Sequence, residues 1–242
     1  MIADLSLLKV KLFSDGADKK AMIEMASKPY IKGLTTNPTL MRKAGVQNYR
    51  LFAKEILTEI RDKPISFEVF SDDLAEMKSQ ALEIASWAEN VYVKVPITNS
   101  MGVPTTEVIA YLSSNNVKLN ITAILTSTQV AEVVSALNPR VSNYVSVFAG
   151  RIADTGVDPI PMMKDSLKLI AVNPMSELIW ASPRELLNIF QADEIGCHII
   201  TATSDILNKL NLIGKDLTSY SLDTVKMFRN DAVQSGFEID IA

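Results

Sequence analysis

Eight short β-type runs, spread evenly along the chain and separated by stretches long enough for one or two helices each, constrain this sequence more than any other feature. They are Lys9 to Ser14, Tyr30 to Leu34, Ile65 to Val69, Val91 to Val95, Val117 to Thr122, Tyr144 to Phe148, Glu177 to Ala181 and Cys197 to Thr201. The segments between them carry helical periodicity. From Asp73 to Glu89, for example, Leu74, Met77, Ala81, Ile84, Ala85 and Ala88 fall on one face.

Strand and helix alternate without a Gly/Ser/Pro-rich linker, a low-complexity segment or a break in composition. That pattern predicts one domain over residues 1–242, a single (β/α)8 barrel of the TIM type. A doubly wound open sheet of the flavodoxin or Rossmann kind is the alternative. The tail from Lys215 to Ala242 holds one extra helical stretch, Leu222 to Val233, expected to pack across the barrel or on a neighbouring subunit. Helix starts are expected after Asp15, at Asn37-Pro38, at Ser71 ahead of Asp72-Asp73, and at Ser182-Pro183.

Composition removes whole classes of chemistry. With 242 residues, 48% of them hydrophobic, the chain can bury a core that needs neither disulfide nor structural metal. It has one cysteine, Cys197, and one histidine, His198, so it builds no disulfide framework, zinc finger or multi-histidine metal site, and zinc-dependent aldol chemistry is excluded. Both residues lie in the apolar run Gly196 to Thr201 and read as core rather than as members of a triad. The nine glycines never take the spacing of a Walker A loop or a dinucleotide fingerprint. A net charge of −4 and a longest basic run of Lys19-Lys20 provide no field for nucleic acid. No run approaches the roughly 18 apolar residues of a membrane span, and Met1 to Ser6 lacks a leader pattern, so a cytoplasmic location is expected. Lysine, carboxylates, hydroxyls and amides remain for catalysis, with no cofactor implied.

In such a barrel the reactive groups gather at the C-terminal ends of the strands. The polar residues there are Asp15; Thr35, Thr36 and Asn37; Glu68; Lys94; Asn120 and Thr122; Ser146 and Arg151; and Ser182 and Arg184. Lys94 stands in Val91-Tyr92-Val93-Lys94-Val95-Pro96, among β-branched, aromatic and Pro neighbours. Burial disfavours a charged ammonium and exposes a neutral amine able to attack a carbonyl and form a Schiff base. Taken alone, the same lysine also fits a solvated edge-strand face. Glu68 and Thr122, on the strands either side in chain order, supply the carboxylate and hydroxyl that an iminium mechanism needs to move protons through water, and Asp15 offers a second acid/base. Arg151 and Arg184, with the helix expected at Ser182-Pro183, point to a phosphate site; as isolated arginines they also fit surface ion pairs.

Five segments together resemble the transaldolase family, class I aldolases whose Schiff-base lysine sits on the fourth strand of a barrel. They are Gly33-Leu34-Thr35-Thr36-Asn37-Pro38-Thr39, Val91 to Pro96, Leu119-Asn120-Ile121-Thr122, Ser146-Val147-Phe148-Ala149-Gly150-Arg151-Ile152, and Ala181-Ser182-Pro183-Arg184. They occur in family order between Asp15 and about Thr201. The resemblance implies that Lys94 forms the Schiff base, Asp15 acts where the carbon–carbon bond breaks, and Glu68 and Thr122 hold the shuttling water. It implies that Asn37, Asn120, Ser146 and Phe148 contact the dihydroxyacetone unit, and that Arg151, Ser182 and Arg184 bind phosphate.

The related fructose-6-phosphate aldolases, which release free dihydroxyacetone, carry glutamine, tyrosine and alanine where this chain has Glu68, Phe148 and Ser146, so these three positions resemble transaldolase. Pro183 departs from the family, which often has an aromatic residue there. The implied reaction is transfer of a dihydroxyacetone unit between sugar phosphates, without cofactor. The alternatives are the aldolase and a non-catalytic phosphosugar-binding barrel. Short family members assemble as homo-oligomers, which is the expectation here.

Overall fold

The eight runs form eight parallel strands in the computed structural model of the chain, which describes residues 5–239 and 241. Residues 1–4, 240 and 242, part of the domain expected over 1–242, lie outside the described residues. The strands are β1 (Lys11–Asp15), β2 (Ile31–Thr35), β3 (Ile65–Glu68), β4 (Val91–Pro96), β5 (Leu119–Ile124), β6 (Asn143–Val147), β7 (Ser176–Trp180) and β8 (Ile199–Thr203). Each pairs in parallel with the next, and β8 pairs with β1, which closes the barrel. The (β/α)8 expectation therefore holds over an open sheet, with strand bounds within two residues of those read from sequence.

The helices are α1 (Lys19–Ser27), α2 (Pro38–Lys43), α3 (Tyr49–Glu59), α4 (Leu74–Ala85), α5 (Thr106–Ser114), α6 (Ser127–Ala136), α7 (Ala149–Asp154), α8 (Ile160–Ile170), α9 (Leu187–Glu194), α10 (Ser204–Leu207) and α11 (Leu217–Gln234). On α4 the expected face is the buried one, through Met77, Ala81 and Ile84. Side chains at the N-caps fasten several first turns: Asp18, Asn37, Asn48, Asp73 and Thr126 each accept from the N–H three residues on. Such a cap is worth ~1 kcal/mol.

Two compact units make up the chain, one of residues 5–208 and one that takes the residues from 209 on. The first holds the barrel. In the second, the expected stretch Leu222 to Val233 belongs to the longer α11, capped by Asp216 on the Ser219 N–H at 2.8 Å. Among the described residues, no helix is long and apolar enough to cross a membrane.

Three expected helix starts move. Asp15 closes β1, while Asp18 caps α1. Ser71 stands ahead of the cap, accepting from Asp73 N–H at 3.1 Å, and Asp73 caps α4. No helix opens at Ser182-Pro183, because Ser182 takes a left-handed φ of 58° that diverts the chain, and the next helix begins at Leu187. The N–H groups of Arg184 and Glu185, which a helix start there would have left free for an anion, instead donate to Asn188 Oδ1 at 2.8 and 3.1 Å.

The barrel interior follows from alternation along the strands. Its lower part is apolar: Phe13, Tyr92, Tyr144, Ile179, Ala181 and Ile199 pack together, with the Tyr92 and Tyr144 rings stacked at 4.0 Å and Phe13 edge-on to Tyr144. Gly33 makes this possible, since a Cβ there would lie 2.4 Å from the Phe13 ring. One step further along β1, β3, β4, β5 and β6 stand Asp15, Glu68, Lys94, Thr122 and Ser146. The same alternation that fills the floor with rings thus places titratable and hydroxyl groups at the mouth.

Candidate active site

A cavity of about 430 Å³ opens at the C-terminal ends of the strands. Ten of the eleven residues to which the resemblance assigns roles line it: Asp15, Asn37, Glu68, Lys94, Asn120, Thr122, Ser146, Phe148, Arg151 and Ser182. They come from β1, β3, β4, β5 and β6, from the turns that follow β2, β6 and β7, and, for Arg151, from α7, so only closure of the barrel brings them together.

Lys94 is the centre. Its residue is 6% exposed, and Nζ donates to the Thr36 carbonyl oxygen at 2.8 Å while standing 3.3 Å from Glu68 Oε2. Register explains the pairing, because Glu68 and Lys94 are Cα partners across β3 and β4. The edge-strand alternative is excluded, since β4 pairs with both β3 and β5.

Asp15 is the second carboxylate of the cavity. Its Oδ1 accepts from Thr35 Oγ1 at 2.7 Å, and Thr35 Oγ1 lies 2.6 Å from Thr201 Oγ1. Thr35 has one hydroxyl proton; with that given to Asp15, Thr201 donates to Thr35. Asn37 caps α2 through Oδ1 on the Leu40 N–H, which turns its Nδ2 toward Asp15 Oδ2 at 3.5 Å. Burial pushes the Asp15 carboxyl above the ordinary carboxylate value; nearby Lys94 and the Thr35 hydrogen bond pull the other way, and Glu68 adds to the rise.

An amide network orders the opposite wall. Asn120 Nδ2 donates to Ser66 Oγ at 2.9 Å, and Ser146 Oγ donates to Asn120 Oδ1 at 2.7 Å, which leaves Ser146 its acceptor lone pairs for any ligand. Thr122 differs, its buried Oγ1 having no hydrogen-bond partner among the described residues. Beside it, Ala123 takes a left-handed φ of 62° where the β5–β6 register shifts. Together with Ser182, it puts backbone conformations costing about 1–3 kcal/mol each on the cavity wall, a common feature of functional sites.

The two arginines part company. The Arg151 guanidinium lies over the Phe148 ring, 5.0 Å from its centroid, and lines the cavity. Arg184 is not among the lining residues; its Nε and one terminal nitrogen form a fork on the Asp154 carboxylate, with Nε at 3.0 Å. Gly150 lies beneath this arrangement, where a Cβ would fall 1.5 Å from the Ser182 carbonyl oxygen. Only glycine lets α7 approach the β7 turn so closely.

Thr35, Thr201, Thr39 and Ala181 also line the cavity, and Ser66 supports it from behind. Thr201 could have been found by extending the strand-end reading to the eighth run, and Ser66 by alternation from Glu68. His198 and Cys197 lie on the run into β8, away from the cavity. The Cys197 thiol is buried, donates to the Leu178 and Ile199 carbonyls, and is pushed up to about 12 by burial. His198 Nδ1 accepts from the Leu178 N–H at 3.0 Å. Among the described residues, no three His, Cys, Asp or Glu side chains converge to hold a metal ion.

The arrangement, a buried lysine between two carboxylates under a polar and cationic rim, is suited to imine chemistry on a small phosphorylated carbonyl compound. The family model described as transaldolase/fructose-6-phosphate aldolase matches residues 12–240. A probable transaldolase of Thermoanaerobacter sp. (strain X514) is 32% identical over 95% of this chain and all of its own length. A probable transaldolase of Clostridium kluyveri is 34% identical over 82% of this chain and 88% of its own, and one of Methanococcus maripaludis (strain C5) 33% identical over 83% and 89%. With the family model matching nearly the whole barrel, and relatives above 30% identity covered over most of their length, the chain belongs to the transaldolase/fructose-6-phosphate aldolase family of enzymes.

Proposed function

We propose that the chain acts as a transaldolase, carrying a dihydroxyacetone unit from a ketose phosphate to an aldose phosphate through an imine on Lys94. The observation that carries this reading is the buried Lys94 Nζ, 3.3 Å from Glu68 at the mouth of the barrel. The neutral amine attacks C2 of a donor such as fructose 6-phosphate or sedoheptulose 7-phosphate, forming the N–C bond, and the carbonyl oxygen takes a proton. Loss of that oxygen as water gives the imine, with Glu68 and the unpartnered Thr122 hydroxyl holding the water that exchanges protons.

Asp15 then takes the proton of the C4 hydroxyl as the C3–C4 bond breaks. Its electron pair passes into the iminium to leave an enamine, and the first aldose phosphate departs. The enamine carbon attacks the aldehyde of the acceptor, erythrose 4-phosphate or glyceraldehyde 3-phosphate. Asp15 returns its proton to the new hydroxyl, and water releases the product ketose from Lys94. A raised carboxyl value suits a group that must both accept and return a proton. Asn37, Asn120 and Ser146 orient the three-carbon unit, while Arg151 and Ser182 receive the phosphate.

Glu68, Phe148 and Ser146 favour transfer over release of free dihydroxyacetone, because an ionisable carboxylate and a wall without a tyrosine hydroxyl change how readily the enamine is protonated and the imine hydrolysed before an acceptor arrives. Incubation with fructose 6-phosphate and borohydride, followed by peptide mass spectrometry, tests the imine. A reduced adduct on Lys94 is expected, and its absence from folded protein would remove Lys94 from the mechanism. Dependence of turnover on added erythrose 4-phosphate separates transaldolase from aldolase, since cleavage at full rate without acceptor belongs to the latter.

A further inference from the structure

The β2–β3 ladder opens one rung below the cavity. Thr36 N–H donates to the Ser66 carbonyl at 3.2 Å, so in a continuing parallel ladder the next bond would run from the Glu68 N–H to the Thr36 carbonyl. That bond is not made. The Thr36 carbonyl accepts from Lys94 Nζ at 2.8 Å, and the Glu68 N–H donates to the Tyr49 hydroxyl at 2.8 Å. The same Tyr49 hydroxyl donates to the Glu68 carbonyl at 2.9 Å. One phenol thus takes the place of the missing strand partner for both backbone groups of Glu68, while the lysine occupies the other side of the opening.

Tyr49 is held firmly enough for this work. It is the first residue of α3, behind the Asn48 cap, and its ring meets Phe70 at 4.4 Å, Trp87 at 5.6 Å and Phe67 at 6.1 Å, all edge-on. Burial pushes its hydroxyl far above the usual phenol range, so it stays protonated and able to donate. The charged groups facing the Glu68 carboxylate are Lys94 and Asp15, on β4 and β1.

We propose that Tyr49 is a positioning residue of the active site: its hydroxyl clamps the backbone of Glu68 at the opened rung and so holds the carboxylate against Lys94 for the proton transfers of imine formation and hydrolysis. This rests on the assignment of Lys94 as the imine-forming residue. A displacement of about 1 Å in such a group costs on the order of 100-fold in rate. Loss of the clamp is therefore expected to slow imine formation about 10- to 100-fold without weakening donor binding.

The test uses Tyr49→Phe, which removes both hydrogen bonds and keeps the ring, beside Phe70→Leu, which removes the nearest ring and keeps the hydroxyl. The rate of borohydride-trappable adduct on Lys94, the KM for fructose 6-phosphate and thermal unfolding are measured for both and for the wild type. The expected result is slow trapping in Y49F at unchanged KM, with F70L trapping at the wild-type rate. Wild-type trapping by Y49F, a rise in KM in place of the fall in rate, or equal slowing by both variants would overturn the clamp. An absent adduct in the wild type would overturn the reading of Lys94, and the clamp with it, whereas an adduct that forms equally fast in Y49F sinks the clamp alone. Should Y49F not fold, 3,5-difluorotyrosine at position 49 keeps the hydroxyl but weakens it as an acceptor for the Glu68 N–H. Slowed trapping is again expected, and an unchanged rate would overturn the proposal.

Discussion

Glu68 and Lys94 occupy directly paired positions on β3 and β4, and their side chains meet at 3.3 Å in the mouth of the barrel. Replacing Glu68 by Gln keeps the shape of the side chain and removes its capacity to carry a proton. Formation of the Lys94 adduct is expected to slow about 100-fold or more, the lower end of what a positioned acid/base contributes, with little change in donor KM. Single-turnover trapping with borohydride measures this directly; an unchanged rate would exclude Glu68 from the proton path.

Arg151 faces the cavity while Arg184 is engaged by Asp154, so the two are expected to differ in weight. A charge-assisted hydrogen bond to phosphate is worth about 1.5–3 kcal/mol, on the order of 10- to 100-fold in binding. Arg151→Ala should raise KM for fructose 6-phosphate by such a factor and leave KM for unphosphorylated fructose nearly unchanged. Arg184→Ala should change the first by only a few-fold. Steady-state kinetics on both donors decides, and a reversed order would mean that Arg184 leaves Asp154 when substrate binds.

Asp15 carries a cost in stability. A carboxyl whose value is raised in the folded state binds its proton more tightly there; its contribution favours the fold below the ordinary value of 3.8 and is lost as the pH climbs through the folded value. The ionised form of the group therefore weighs against folding. Asp15→Asn keeps an acceptor for Thr35 and is expected to lower turnover at least 100-fold while raising the melting temperature about 2–4 °C, the response of a chain this size to ~1 kcal/mol. A lower melting temperature at pH 7 would show that the ionised carboxylate stabilises the site.

His198 sets a stability limit on the acid side. Burial lowers its value below 6.5, with Glu177 opposing and Lys11 assisting, and its Nδ1 must stay unprotonated to accept from the Leu178 N–H. The unfolded chain therefore takes up a proton first as the pH falls below 6.5, and stability is lost from there down to the folded value. Thermal unfolding at pH 7.5 and 5.5 should show a smaller loss for His198→Gln than for the wild type. Equal losses would place the acid sensitivity elsewhere.

Much of this was legible along the chain because its periodicities are local. Eight apolar runs and the amphipathic stretches between them are short-range patterns, and alternation within a strand follows from the geometry of the extended backbone. Lys94 could be singled out because an ammonium amid β-branched and aromatic residues is anomalous wherever the strand lies. The helix expected at Ser182-Pro183 was not legible in the same way, because the left-handed turn at Ser182 answers to the close approach of Gly150, 32 positions earlier in the chain.

The amino-acid sequence by itself determined the alternating elements, the absence of metal and nucleotide motifs, and the residue types at each strand end. Tertiary structure alone decided which of those residues meet. Closure of the barrel put Glu68 against Lys94, gave Thr35 to Asp15, drew Arg184 onto Asp154, and left a ladder rung open for Tyr49 to fill. The physical reason is that hydrogen bonds and charge pairs act over a few ångströms, while the partners here are separated by 19 to 30 residues, a distance that local preference does not reach.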